Sequence, residues 1–144
     1  MSPQVSVGQV RELQLVQNLT RTQIVQYAGA SGDYNPLHHD ERFARENGGA
    51  PGIFAHGMLT MGMTGRVLTD WFGAESVVQY GARFAAQVWP GDTLTATATI
   101  DSVRPGGDAV ELDITVTTVN QRGDVVLAGS AKVRVQPTTA DRSE

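Results

Sequence analysis

A carboxylate and an imidazole lie five residues apart around a stiff step in the chain: Asp33 and His38 flank Asn35-Pro36. Proline fixes its own φ and pushes the residue before it out of helical geometry, so this step is a rigid loop. Carboxylates and imidazoles are common proton-transfer groups in catalysis. We therefore take Asp33 and His38 as a candidate acid–base pair and leave open which one gives the proton. The alternative is a loop aspartate that caps nearby amides and a histidine bonded only to backbone.

A second run of interest, Ala55–Leu59, reads Ala-His-Gly-Met-Leu and leads into a long apolar stretch. We expect a helix over residues 57–71, with Gly57 at its start. The first N–H groups of a helix have no partner within it, and the helix dipole favours negative charge there. The Gly57 amide could receive a negatively charged oxygen, or the glycine could merely permit tight packing in a core helix.

The composition excludes several classes of function. The chain has 144 residues, with 40% apolar and 18% charged side chains, which is typical of one globular domain. A net charge of -4 disfavours nucleic acid and anionic membranes as partners. The absence of cysteine excludes disulfides and thiolate catalysis. Because neither a secretion signal nor a membrane span is recognisable, we expect a cytoplasmic protein.

The first half of the chain carries helix signals. Thr20 followed by Gln23 matches a capping box and predicts a helix over residues 20–31, ended by Gly32 in a left-handed conformation. Residues 33–39 are expected to form a loop, and Asp40 to cap a short helix through Glu46. The helix at 57–71 is apolar on nearly every side, which predicts that it is buried all round.

The second half changes to strand signals. Four stretches rich in Val, Thr and Ile, at 76–89, 93–103, 109–119 and 125–135, are separated by Gly-containing turns, and an opening strand is expected between Val5 and Leu15. Polar-apolar alternation with short links predicts an antiparallel meander. We expect an α+β domain over residues 1–136, in which the sheet wraps around one long central helix, and a polar, disordered tail at 137–144.

Both runs resemble the hallmarks of a known family. Tyr-Ala-Gly-Ala-Ser-Gly-Asp-Tyr-Asn-Pro-Leu-His (27–38) and Ala-His-Gly-Met-Leu-Thr-Met-Gly-Met (55–63) are similar to the signatures of MaoC-like dehydratases and (R)-specific enoyl-CoA hydratases. Within this family, the motifs are especially similar to those of the catalytic subunit of mycobacterial (3R)-hydroxyacyl-ACP dehydratases. The resemblance implies a single hot-dog fold that works as a homodimer or as a heterodimer with a related hot-dog subunit.

The resemblance also implies a reaction, the reversible syn hydration of trans-2-enoyl thioesters to (3R)-hydroxyacyl thioesters. Asp33 and His38 would hold and activate the water, and the Gly57 amide would bind the thioester oxygen. The substrate would be an acyl-CoA or acyl-ACP thioester, and neither a metal nor a cofactor is expected.

Other residues near the two motifs have more modest expected roles. Asn35 is expected to tie the turn and could also reach the substrate. His56 is expected to orient the turn before the helix and, with Asn35 and Met58, is a candidate substrate-binding residue. Met58, with Met61 and Met63, is expected to be core or to line an acyl tunnel, since methionine adapts to irregular apolar space. His39, next to the catalytic position, is expected at the surface.

Two alternatives belong to other functional classes. A hot-dog thioesterase would use a carboxylate to direct water at the thioester carbonyl, and the Asp33–His38 pair argues against it. A non-catalytic partner subunit would lack the acid–base pair, which this chain retains.

Overall fold

The computed structural model describes residues 4–136, which form three α-helices and five β-strands. In chain order they are β1 Val10–Val16, α1 Arg21–Ser31, α2 Glu41–Glu46, α3 Gly57–Phe72, β2 Val77–Phe84, β3 Leu94–Gly106, β4 Ala109–Val119 and β5 Val125–Val135. The tail predicted at 137–144 lies outside the described residues. Within the described range, no helix is long and apolar enough to cross a membrane.

The strands form one antiparallel sheet in the order β1-β3-β4-β5-β2. The meander is confirmed for β3, β4 and β5, but β2 pairs with β5 and not with the next strand in the chain. The strand predicted at 76–89 ends at Phe84. Beyond that residue the chain leaves the sheet, and the carbonyl oxygen of Val88 accepts a hydrogen bond from the amide of Ala55 at 2.8 Å. A segment expected in the sheet therefore lies beside the start of α3.

The long helix packs across the sheet and contacts all five strands. Strand β3 explains this packing. Its apolar residues Leu94, Ala96, Ala98 and Ile100 are fully buried, while the threonines between them are not. Alternation of this kind gives the sheet one apolar face, which α3 covers. The predicted α+β architecture, a sheet wrapped around one helix in the manner of a hot dog, is confirmed.

The expectation that α3 is buried all round is wrong for the single chain. Its buried residues are Thr60, Thr64, Val67, Leu68 and Phe72. Met58, Gly62, Arg66 and Asp70, which follow one another at four-residue spacing, are exposed. Residues four apart lie on one helix face. The sheet of one chain covers only the other side of α3, so a stripe of the helix remains at the surface.

The local signals in the first half are mostly confirmed. Thr20 and Gln23 form the capping box, and Gly32 ends α1 with φ +76°. The side chain of Asp40 caps α2 through the amide of Phe43. Within the predicted loop, Pro36–His38 forms one turn of 3-10 helix. The opening strand is shorter than predicted and starts at Val10.

Candidate active site

The loop that carries Asp33 and His38 is held by two side chains that bond to nearby backbone. The Asp33 carboxylate accepts a hydrogen bond from the amide of Asn35 at 3.2 Å. The side-chain oxygen of Asn35 in turn accepts from the amide of Leu37 at 3.0 Å. Short polar side chains stabilise turns in this way. Asn35 therefore stabilises the turn that carries His38, which is the structural role that the sequence predicted for it.

Three titratable side chains converge at this loop. Asp33, His38 and His56 each contribute one ligand atom to a group in which all three atoms lie within 4.8 Å of one another. The Asp33 side chain faces solvent, whereas His38 is 9% exposed and His56 is 2% exposed. His56 is the residue directly before α3, so the cluster joins the two motifs. From the sequence, His56 was expected to orient its turn and was a candidate substrate-binding residue, but its contact with the Asp33 loop was not predicted.

The hydrogen bond of His38 determines which ring nitrogen is available. Its Nδ1 lies 2.6 Å from the carbonyl oxygen of Phe54. A carbonyl oxygen can only accept, so Nδ1 carries the proton and donates it. In the neutral ring, Nε2 then has a free lone pair. His38 can therefore act as a base through Nε2 while its orientation is fixed through Nδ1.

His56 has the opposite tautomer. Its Nε2 lies 3.0 Å from the carbonyl oxygen of Asp33, so Nε2 carries the proton. Its Nδ1 is buried and has no hydrogen-bond partner among the described residues. Burial, together with the nearby His38, lowers the pKa of His56 below its ordinary value, although the bond to Asp33 opposes this. His56 is thus held as a neutral ring that links α3 to the backbone of Asp33.

The cluster contains metal-binding residue types, but its geometry suits proton transfer better. The His38 and His56 rings stack with centroids 3.9 Å apart and planes inclined by 26°. A metal ion must lie about 2.0–2.1 Å from each nitrogen, along lone pairs that lie in the ring planes. Because the two rings are stacked with nearly parallel planes, their in-plane lone pairs do not converge on one point at that distance from both nitrogens.

Gly57 lies at the start of α3 and lines a cavity of about 380 Å³. Its amide has no protein partner within residues 4–136, as expected for the first turn of a helix. The cavity wall is mostly apolar and is formed by Phe54, Ala55, Gly57, Thr60, Phe84, Ala85, Ala86, Gln87, Val88 and Val126. Phe54 connects the cavity to the cluster, since its carbonyl accepts from His38 and its ring contacts the His38 ring edge-to-face at 5.1 Å.

Several expected or missed residues can now be located. Met58 is 55% exposed and does not line the cavity, and Met61 and Met63 pack against the core instead. His39 is exposed, as expected, and bonds to the carbonyl of Tyr34 at 3.0 Å. The place of segment 84–88 in the cavity wall was not predicted, because its apolar residues favoured a continued strand. Thr60 was not predicted either, although its polarity inside an apolar helix was an available signal.

Sequence comparisons relate this chain to known proteins. Residues 3–121 match the family model of the MaoC like domain. An (R)-specific enoyl-CoA hydratase of Rhodospirillum rubrum is 36% identical over 123 residues, which cover 84% of this chain and 83% of that protein. An enoyl-CoA hydratase of Mycobacterium tuberculosis is 43% identical over 76 residues, which cover 51% of this chain. The matched part is only 26% of that longer relative.

The fold is also similar to that of a solved structure. The ChsH1-ChsH2 complex of Mycobacterium tuberculosis contains a chain that superimposes with a TM-score of 0.78 at 25% identity, covering 92% of this chain and 100% of that one. The family match over most of the sequence, the hydratase relative of similar length and the shared fold lead to one conclusion: this chain belongs to the MaoC-like domain family.

Proposed function

We propose that this protein is a lyase that adds water reversibly to trans-2-enoyl thioesters and forms (3R)-hydroxyacyl thioesters. The observation that carries the proposal is the convergence of Asp33 and His38 within 4.8 Å, with the Nε2 of His38 free to exchange a proton. The names of the hydratase relatives from Rhodospirillum rubrum and Mycobacterium tuberculosis support the same reaction class.

In the proposed mechanism, one water molecule lies between Asp33 and His38. As its oxygen bonds to Cβ, one of the two residues takes a proton from it, and the π electrons of the Cα–Cβ bond move toward the thioester oxygen. The pair then delivers a proton to Cα from the same side, and the electrons return to form the Cα–H bond. Acid–base assistance of this kind typically contributes about 10²–10⁴-fold to a rate. The same steps in reverse dehydrate a 3-hydroxyacyl thioester.

The developing negative charge needs a donor that is already in position. We assign this role to the amide of Gly57, at the positive end of the α3 dipole. His56 acts as a positioning residue, because it bonds to the Asp33 carbonyl and stacks on His38. Asn35 keeps the turn in shape. No step in this scheme requires a metal or a cofactor.

We also propose that one hot-dog domain, residues 1–136, works as a dimer with itself or with a related hot-dog subunit. The single chain leaves a stripe of α3 exposed and β2 as a sheet edge, with Val78 67% exposed on that strand. Unpaired edges and exposed apolar side chains favour association. Met58 would contact substrate only as part of a site completed by the second subunit.

A crotonyl thioester, of either CoA or acyl carrier protein, tests the proposal. Loss of the enoyl absorbance without release of free thiol is the expected result. Thiol release would identify a thioesterase instead. A chain that neither hydrates the enoyl group nor releases thiol, alone or with a related subunit, would refute the proposed activity.

A further inference from the structure

Thr60 has a buried hydroxyl without a partner. The residue is 2% exposed, and its Oγ1 makes no hydrogen bond within the described residues. Thr64, one turn further along α3, is equally buried, but its Oγ1 lies 2.6 Å from the Oγ1 of Thr118. Buried hydroxyls in native proteins are nearly always paired, because an unpaired one loses its bonds to water without compensation. The Thr60 hydroxyl therefore requires an explanation that Thr64 does not.

The position of Thr60 suggests what its partner is. It follows Gly57 by three residues, so the two lie on one helix face, and both line the cavity. Side chains on a helix lean toward its N-terminus. The hydroxyl and the free Gly57 amide are thus two donors at the same end of α3. The wall around them is supplied largely by apolar side chains, among them Phe54, Phe84 and Val88.

We propose that the Thr60 hydroxyl donates a second hydrogen bond to the thioester oxygen, beside the Gly57 amide. This inference rests on the proposed function. The hydroxyl is unpaired in the free protein and gains its partner when substrate binds, and the bond strengthens as the oxygen becomes negative. An interaction that is stronger in the transition state than in the ground state raises kcat. Thr60 is then a catalytic residue of the same reaction.

Three variants separate this role from a structural one. Thr60→Val keeps the branched shape and removes the hydroxyl, Thr60→Ser keeps the hydroxyl, and Thr64→Val is the matched control on the same helix face. For crotonyl-CoA hydration, we expect kcat of Thr60→Val to fall by about 10²-fold with little change in KM, as for other oxyanion donors. Thr60→Ser should retain most of the activity, and Thr64→Val should keep the wild-type kcat.

The melting temperature should rank Thr60→Val and Thr64→Val by the structural damage that each causes, so Thr64→Val, which keeps its activity, should be the less stable of the two. Thr60→Val removes an unpaired hydroxyl, so its Tm should equal or exceed that of the wild type. Thr64→Val leaves the Thr118 hydroxyl without its partner, so its Tm should fall. A wild-type kcat in Thr60→Val, or equal losses in Thr60→Val and Thr60→Ser, would overturn the inference while leaving the hydratase activity intact.

A second readout does not depend on turnover. Butyryl-CoA labelled with ¹³C at the thioester carbonyl cannot be hydrated, and a hydrogen bond to its oxygen lowers the infrared C=O stretching frequency. We expect a higher frequency when it is bound to Thr60→Val than when it is bound to the wild type or Thr60→Ser. Should the wild type fail to hydrate crotonyl-CoA, this shift still supports the donor role of Thr60. Identical frequencies, or no binding of butyryl-CoA, would overturn it.

Discussion

The imidazole rings of His38 and His56 stack 3.9 Å apart, and each donates one N–H to a backbone carbonyl. His38 donates from Nδ1 to Phe54, and His56 donates from Nε2 to Asp33. The two neighbouring rings therefore have opposite tautomers. This arrangement connects the Asp33 loop to the start of α3. It also keeps an uncharged ring beside the histidine that exchanges protons in the proposed reaction.

The acid–base pair is tested by removing each member. Asp33→Asn and His38→Gln should both fold and should each lower the hydratase rate by at least about 10²-fold, because each removes one proton-transfer group. His39→Gln is the matched control, since His39 is exposed and its ring bonds to the backbone carbonyl of Tyr34. Steady-state assays with crotonyl-CoA measure all three. A loss in the His39 variant that spares the His38 variant would show that the motif has been assigned to the wrong histidine.

The lowered pKa of His56 predicts a pH-dependent stability. In the unfolded chain His56 titrates near its ordinary pKa of 6.5, whereas the folded protein resists protonation of the buried ring. Below that pH the unfolded state binds more protons, so the free energy of unfolding decreases as the pH falls. The carboxylates with lowered pKa values, Glu41, Asp113 and Asp124, contribute mainly below about pH 5. Urea unfolding between pH 7.5 and 5 therefore monitors histidine protonation.

His56→Gln should show a smaller decrease over that range than the wild type, because the variant has no imidazole to protonate at this position. Equal slopes for the two proteins would contradict the assignment of a buried, neutral His56.

A side chain at Gly57 should disturb the site without removing the backbone donor. A Cβ there would lie 2.8 Å from two atoms of the Phe84 ring, closer than van der Waals contact allows. Gly57→Ala should therefore displace the ring toward the cavity and lower hydratase activity by up to about 10²-fold, as small displacements at active sites do. Phe84→Leu in the same chain should recover part of the loss. No loss in the single variant would mean that the thioester does not approach this amide.

Gly29 provides the control for that substitution. It lies within α1, and a Cβ added at this position by Gly29→Ala would meet nothing within 4 Å. The change should raise the free energy of unfolding by about 0.5–1 kcal/mol through helix propensity and leave activity unchanged. Urea unfolding and the crotonyl-CoA assay measure the two effects.

The two sheet edges differ in where their charged residues lie. β2 exposes Val78 and has its one charged residue, Arg83, five positions away, whereas β1 exposes Val10 directly beside the charged residues Arg11 and Glu12. Charges on an edge strand disfavour pairing. Val78→Lys should therefore shift the dimer toward monomer in light scattering, and Val10→Lys should not. A wild-type monomer with full activity would count against the dimer altogether.

The expected stereochemistry follows from the shared origin of the two groups proposed to move protons. Asp33 and His38 come from one loop, so the water between them meets one face of the substrate and addition should be syn. The family resemblance implies the (R) configuration. Chiral analysis of 3-hydroxybutyryl-CoA made from crotonyl-CoA checks the configuration, and hydration in D₂O checks the side of proton delivery. An (S) product would mean that the substrate presents its opposite face to Asp33 and His38.

Local signals were sufficient to predict most helices and two strands. The capping box at Thr20, the left-handed Gly32 and the Val/Thr/Ile-rich strands at 109–119 and 125–135 depend on residues close in sequence, and the structure has these features at the predicted positions. The proximity of Asp33 and His38 was also predictable, because the Asn-Pro step between them restricts the chain locally. The fold class followed from the order of these elements.

Only the tertiary structure decided which distant groups meet. β2 ends at Phe84, and the chain beyond it reaches the start of α3, where Val88 bonds to Ala55; no neighbouring residue indicates this. His56 joins the cluster of Asp33 and His38 through the Asp33 carbonyl, a contact between residues 23 positions apart. Thr60 and Thr64 look alike in the sequence, yet of the two only Thr64 has a partner hydroxyl within the described residues, that of Thr118 on β4. Burial and hydrogen-bond partners depend on remote segments, so local patterns could not distinguish the two threonines.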